Sequence, residues 1–118
     1  KKISAENVFN NIPSWLGLAQ TSQAITADAS SQVANVTTAV TEINATSATG
    51  AISLADGSDG QIKIFINTST SGTNNVVITP TNLRGGTTIT LNAEGETVTC
   101  LFKNAKWNVI AGNGYVVA

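Results

Sequence analysis

Between positions 61 and 67 the chain alternates with a period of two, setting Ile62, Ile64 and Ile66 on one side and Lys63 and Phe65 on the other. That is the spacing of a β-strand, whose successive side chains leave opposite faces. The same alternation groups Val98, Cys100 and Phe102, and after the short connection Asn104-Ala105 it groups Trp107, Val109 and Ala111. These two segments predict a β-hairpin with the first trio facing inward. Shorter runs at Ala51–Leu54, Val76–Thr79, Thr87–Asn92 and Tyr115–Val117 have the same character. They are separated by the turn signals Asp56-Gly57, Asp59-Gly60, Pro80, Arg84-Gly85-Gly86, Glu94-Gly95 and Asn113-Gly114. Val36–Ala45 is read as a strand although Val33, Val36, Val40 and Ile43 also recur at helical spacing, because Thr37, Thr38 and Thr41 are poor helix formers. Strands spaced this closely predict an all-β domain over residues 35–118, an antiparallel β-sandwich or barrel of jelly-roll-like form.

Residues 1–34 have a different texture. Val8, Phe9, Ile12, Trp15, Leu16 and Leu18 form an apolar cluster broken by Pro13 and Gly17, and the stretch from Thr21 to Ser31 is small and polar without a period. A helical turn over Asn7–Asn11 would end at Pro13. The expectation is an extended N-terminal arm and linker, with Phe9, Ile12, Trp15, Leu16 and Leu18 as protein-interface residues, since buried aromatics dominate many interfaces. The competing reading folds Phe9 and Trp15 back onto the domain's own core.

Composition narrows the class. The chain of 118 residues is 42% hydrophobic but only 11% charged, rich in Thr, Asn and Ser, with a net charge of −1. Low hydrophobicity with high net charge marks disorder, and neither is present. Nucleic-acid binding normally needs a basic stripe, whereas the basic residues here are scattered as Lys1, Lys2, Lys63, Arg84, Lys103 and Lys106. No apolar run has the length of a membrane span. Met is absent, position 1 included, so the sequence is expected to be trimmed, matured or part of a longer chain.

Candidate chemistry is sparse. The lone Cys100 sits on an apolar strand face and reads as a small core hydrophobe; no His is present to activate a thiol or serve a Ser-His-Asp triad. Glu94 and Glu96 flank a turn glycine, where solvated carboxylates are the plain reading and a catalytic acid pair the remote one. Asp56-Gly57-Ser58-Asp59-Gly60 lacks the further carboxylates of an EF-hand and reads as a turn. The Asn-x-Ser/Thr triplets at Asn35, Asn44 and Asn67 are expected by chance in such a composition. The expectation is a non-enzymatic protein-binding module with no cofactor and no metal.

From Gly50 onward the serial pieces Ser53-Leu54-Ala55-Asp56-Gly57, Gly60-Gln61-Ile62-Lys63, Val77-Ile78-Thr79-Pro80-Thr81-Asn82-Leu83, Gly85-Gly86-Thr87-Thr88-Ile89-Thr90 and Lys106-Trp107-Asn108-Val109-Ile110-Ala111-Gly112-Asn113-Gly114 form a pattern to which Thr37–Ile43 also belongs. This pattern resembles small structural proteins of tailed bacteriophages and other aquatic viruses, in the capsid decoration (cement) and fibre-associated group. The resemblance implies a β-rich protein of the virion surface, often trimeric, clamping neighbouring subunits of the major capsid protein; charge and hydropathy add the expectation of no nucleic-acid and no membrane partner. A tail-fibre or receptor-binding module is the alternative, followed by a bacterial surface or carbohydrate-binding module.

Overall fold

The computed structural model describes residues 21–118, which contain ten strands and no helix. They are β1 (Ser22–Ala27), β2 (Gln32–Ala34), β3 (Val40–Ala45), β4 (Thr49–Leu54), β5 (Ile62–Asn67), β6 (Asn75–Pro80), β7 (Ile89–Leu91), β8 (Thr97–Lys103), β9 (Lys106–Asn113) and β10 (Val116–Val117). Two five-stranded sheets pack face to face, the first in the order β1-β3-β5-β8-β9 and the second in the order β10-β7-β6-β4-β2. The expected all-β sandwich is therefore present.

Its winding differs from the antiparallel, jelly-roll-like expectation. From β1 to β6 successive strands alternate between the sheets, so β1, β3 and β5 pair in parallel, as do β2, β4 and β6. These six strands make three stacked coils, each contributing one strand to either sheet. Antiparallel pairing belongs to the remainder: β5–β8, β8–β9, β6–β7 and β7–β10. Residues 21–34, expected to end an arm and linker, instead supply β1 and β2, so among the described residues the β-domain already includes the segment before 35. Small side chains replace apolar periodicity as the signal in this stretch. Ala27, Ala45 and Gly50 stack where the coils turn, and a Cβ on Gly50 would stand 2.8 Å from that of Ala45 and 3.1 Å from that of Ala27.

The core lies between the sheets. Ile43, Phe65, Val98, Cys100, Phe102 and Trp107 enter it from the first sheet, and Ile52, Leu54, Val76, Ile78, Ile89 and Leu91 from the second. The expected inward trio Val98, Cys100 and Phe102 is buried. The β8–β9 hairpin forms as the pattern predicts, with Asn104 and Ala105 at φ 53° and 60°. Two consecutive left-handed residues make the tight turn whose twist matches the flanking strands. Trp107 plugs that end of the core: its ring meets Phe102 edge-on at 5.2 Å, and Nε1 donates to the Ala55 carbonyl at 2.9 Å.

Candidate protein-binding surface

β5 decides which side of the first sheet meets solvent. Phe65 must be buried for its size, and period-two geometry carries Lys63 and Asn67 inward with it. Both polar groups are accommodated. Lys63 is fully buried along its stem; Nζ donates to the Thr38 carbonyl at 2.9 Å, to Thr38 Oγ1 at 3.2 Å and to Asn35 Oδ1 at 3.4 Å, and lies 5.8 Å from the centre of the Phe65 ring. Asn35 is itself held by the Thr38 N–H at 3.0 Å and hydroxyl at 2.7 Å. Asn67 Nδ2 donates to the Leu91 carbonyl at 3.1 Å, and its Oδ1 accepts from Ser69 N at 2.9 Å. Burial without a carboxylate partner pushes the Lys63 ammonium down to about 8.

The consequence is that Ile62, Ile64 and Ile66 face outward. Register extends the stripe: Val40 of β3 stands opposite Ile64, and Leu101 of β8 stands opposite Ile62. Thr97 and Thr99 continue the face without charge, and Glu42, opposite Ile66, marks its border. On β9 a bulge between Thr99 and Cys100 interrupts the register and leaves Ile110 exposed. Ile62 and Ile110 keep 47% and 53% of their surface in water. Ala39, Gly60, Ile62 and Ile64 line a shallow open depression of about 440 Å³. Isolated surface apolars are ordinary, whereas a contiguous aliphatic stripe on a sheet makes this face the candidate contact surface. Burying a half-exposed isoleucine contributes about 1 kcal/mol.

The residues weighed for chemistry have structural work. Asp59 pairs with Lys103 at 2.5 Å and accepts from Asn104 N at 3.2 Å, and this hydrogen bonding holds its carboxyl below the usual range. Asp56 accepts from Asn82 Nδ2 at 2.8 Å. The Asp-Gly-Ser-Asp-Gly segment thus ties the β4–β5 turn to the loop before β7 and to the β8–β9 hairpin. Glu96 accepts from Asn92 N across the β7–β8 turn. Cys100 is wholly buried and its thiol is pushed up to about 12 by that burial. Among the described residues no three His, Cys, Asp or Glu side chains gather as metal ligands. Of the basic residues, Lys63 is buried, Lys103 is ion-paired, and Arg84 Nε donates to Asn108 Oδ1 at 2.7 Å. Asn67 of the glycosylation triplets is buried, whereas Asn44 is exposed.

Phe9, Ile12, Trp15, Leu16 and Leu18, the interface residues expected from the sequence, lie outside the described residues. The outer isoleucine face was legible only as an alternation; the presence of Phe65 on the opposite side was the available signal for its direction. No family model matches the chain, and no curated protein matches it.

Proposed function

We propose that this chain is a structural protein of a virus particle, a capsid decoration module that binds neighbouring subunits of the major capsid protein and stabilises the shell. The observation that supports it is the uncharged aliphatic stripe of Val40, Ile62, Ile64 and Leu101 on the outer face of a rigid sheet. Such a surface contributes by burial and needs no catalysis. A ligand that binds only the assembled shell stabilises that shell by mass action. The apolar residues Phe9, Ile12, Trp15, Leu16 and Leu18 extend the same role to an N-terminal arm contacting a neighbour. Adding the protein to shells assembled from the major capsid protein of the same virus is expected to raise their disassembly temperature in proportion to occupancy. Shells that melt unchanged at saturating protein would rule the reading out.

The tail-fibre alternative has one observation in its favour: the three parallel coils stack along a single direction, an arrangement suited to elongated assemblies. It predicts association with tail structures and none with shells. Sugar recognition has less support, since Trp107 is fully buried and Tyr115 packs against the core.

A further inference from the structure

The two ends of the coil stack are finished differently. At one end the chain closes the sandwich with antiparallel strands. β9 opens with Lys106 and carries the bulge, β10 has two residues, and isolated bridges join Leu83 to Trp107 and Thr97 to Gly114. A charged residue, a bulge and a very short strand are the usual means of preventing an edge from pairing further.

The other end has one short edge strand, the three-residue β2, but neither the charge nor the bulge. Among the described residues β1 and β2 form the first coil and are both edge strands; they read Ser-Gln-Ala-Ile-Thr-Ala and Gln-Val-Ala, without charge, proline or bulge. Val40 N donates to the Thr21 carbonyl at 3.0 Å and Thr46 N to the Ala27 carbonyl at 2.8 Å, which fixes the odd-numbered residues of β1 toward β3. Parallel geometry then directs the backbone N–H and C=O groups of Ser22, Ala24 and Thr26 away from the sheet, and no described strand lies on that side. The described residues also leave the core beneath incompletely covered. Gln23 and Ile25 face inward yet are only half-buried, whereas Thr41 and Ile43, their register partners one coil further in, are both 0% exposed.

We propose that this open first coil pairs with the same coil of a second copy, β1 against β1 and β2 against β2, across one two-fold axis. An axis normal to the sheets reverses strand direction in both at once, so each edge meets itself antiparallel and both sheets run on into the partner. In a two-fold contact residue i meets residue j and j meets i, so only a residue on the axis faces its own mate, and like charges near the axis would repel. The complete absence of charge from these two strands suits a self-pairing edge. Because the opposite edges carry a charge, a bulge and a two-residue strand, association stops at a pair. The contact uses the end of the sandwich and leaves the isoleucine face free, and it is a two-fold pair in place of the trimer that the viral resemblance implies.

The test is native mass spectrometry and light scattering of the full chain at micromolar concentration, together with hydrogen exchange at the Ser22, Ala24 and Thr26 amides. The wild type is expected at twice the chain mass, with those amides protected in concentrated solution and exchanging on dilution. Ala24→Pro removes an N–H that β3 does not use, so it keeps the β-sheet circular dichroism and weakens pairing at least ~tenfold. Ala24→Lys, which retains the N–H but sets a cation beside its mate, weakens it in a salt-dependent way. A wild-type monomer or trimer overturns the proposal. So does a dimer that survives in either folded variant, or protection of the three amides that is independent of dilution.

Discussion

Lys63 is the least expected resident of the core, and its chemistry makes it measurable. Its ammonium is held by three oxygens and no carboxylate, and burial lowers it from 10.5 to about 8. The native state therefore releases this proton before the unfolded state does. Between about 8 and 10.5 the unfolded chain binds more protons at this site, so stability rises with pH there. Cys100 acts in the opposite sense: its buried thiol stays protonated to about 12 while an unfolded thiol ionises near 9.0, so stability falls as pH rises above that value. The melting temperature is expected to climb from neutrality to about pH 9 and then level or decline. In thermal melts Lys63→Met should lose the climb, a difference on the order of 1 kcal/mol at the maximum. A wild-type melting temperature that is flat or falling between pH 7.5 and 9 would contradict the assignment. For the same reason a thiol reagent should label Cys100 only when the protein unfolds, and labelling at the rate of a free thiol would show the face to be open.

At the scale of elements, the β8–β9 hairpin carries its strain at Ala105, a residue with a Cβ at φ 60°. Ala105→Gly relieves that conformation and is expected to raise stability by about 0.5–1 kcal/mol in chemical denaturation, whereas Ala105→Val lowers it by a similar or larger amount. This hairpin was fully legible in the sequence, because alternation, turn length and inward residues all agree. β5 was half legible. Its period was plain, but three isoleucines on one side and a lysine on the other argue for the wrong face going inward. The burial of Phe65 and the oxygens that the Asn35–Thr38 segment offers to Lys63 reverse that expectation, and those oxygens come from residues distant in sequence. β1 and β2 were not legible. Ser22–Ala27 and Gln32–Ala34 hold one large aliphatic residue apiece, of which Val33 is exposed, and beside Ile25 their core-facing positions are filled by alanine and glutamine. Gln23 accepts from Asn35 N at 2.9 Å and from Thr41 Oγ1 at 3.0 Å, a bridge across the end of the sandwich that no periodicity reveals.

On the scale of the whole molecule, the all-β class and eight of the ten described strands follow from the sequence, whereas β1, β2 and the winding do not. Hydrophobic alternation says which residues share a face and is blind to strand direction. Turn dipeptides such as Asp56-Gly57 serve a corner between sheets as well as a tight hairpin. The coils also differ in length, since Ser22 pairs with Val40 and Val40 with Ile64, so no internal repeat announces them. The proposed binding surface is a property of this scale, because it requires β3, β5 and β8 to lie side by side with Val40, Ile62, Ile64 and Leu101 outward. Its removal should leave folding intact, as Ile62 and Ile64 add little to the core. Co-sedimentation with shells of the major capsid protein, comparing wild type with the Ile62→Thr/Ile64→Thr double variant, is the most direct measurement. The wild type is expected to bind saturably and the folded variant at least roughly tenfold more weakly, the loss of about 1 kcal/mol per isoleucine. Equal binding by the two proteins, or no binding by the wild type, would contradict a function carried by the isoleucine face.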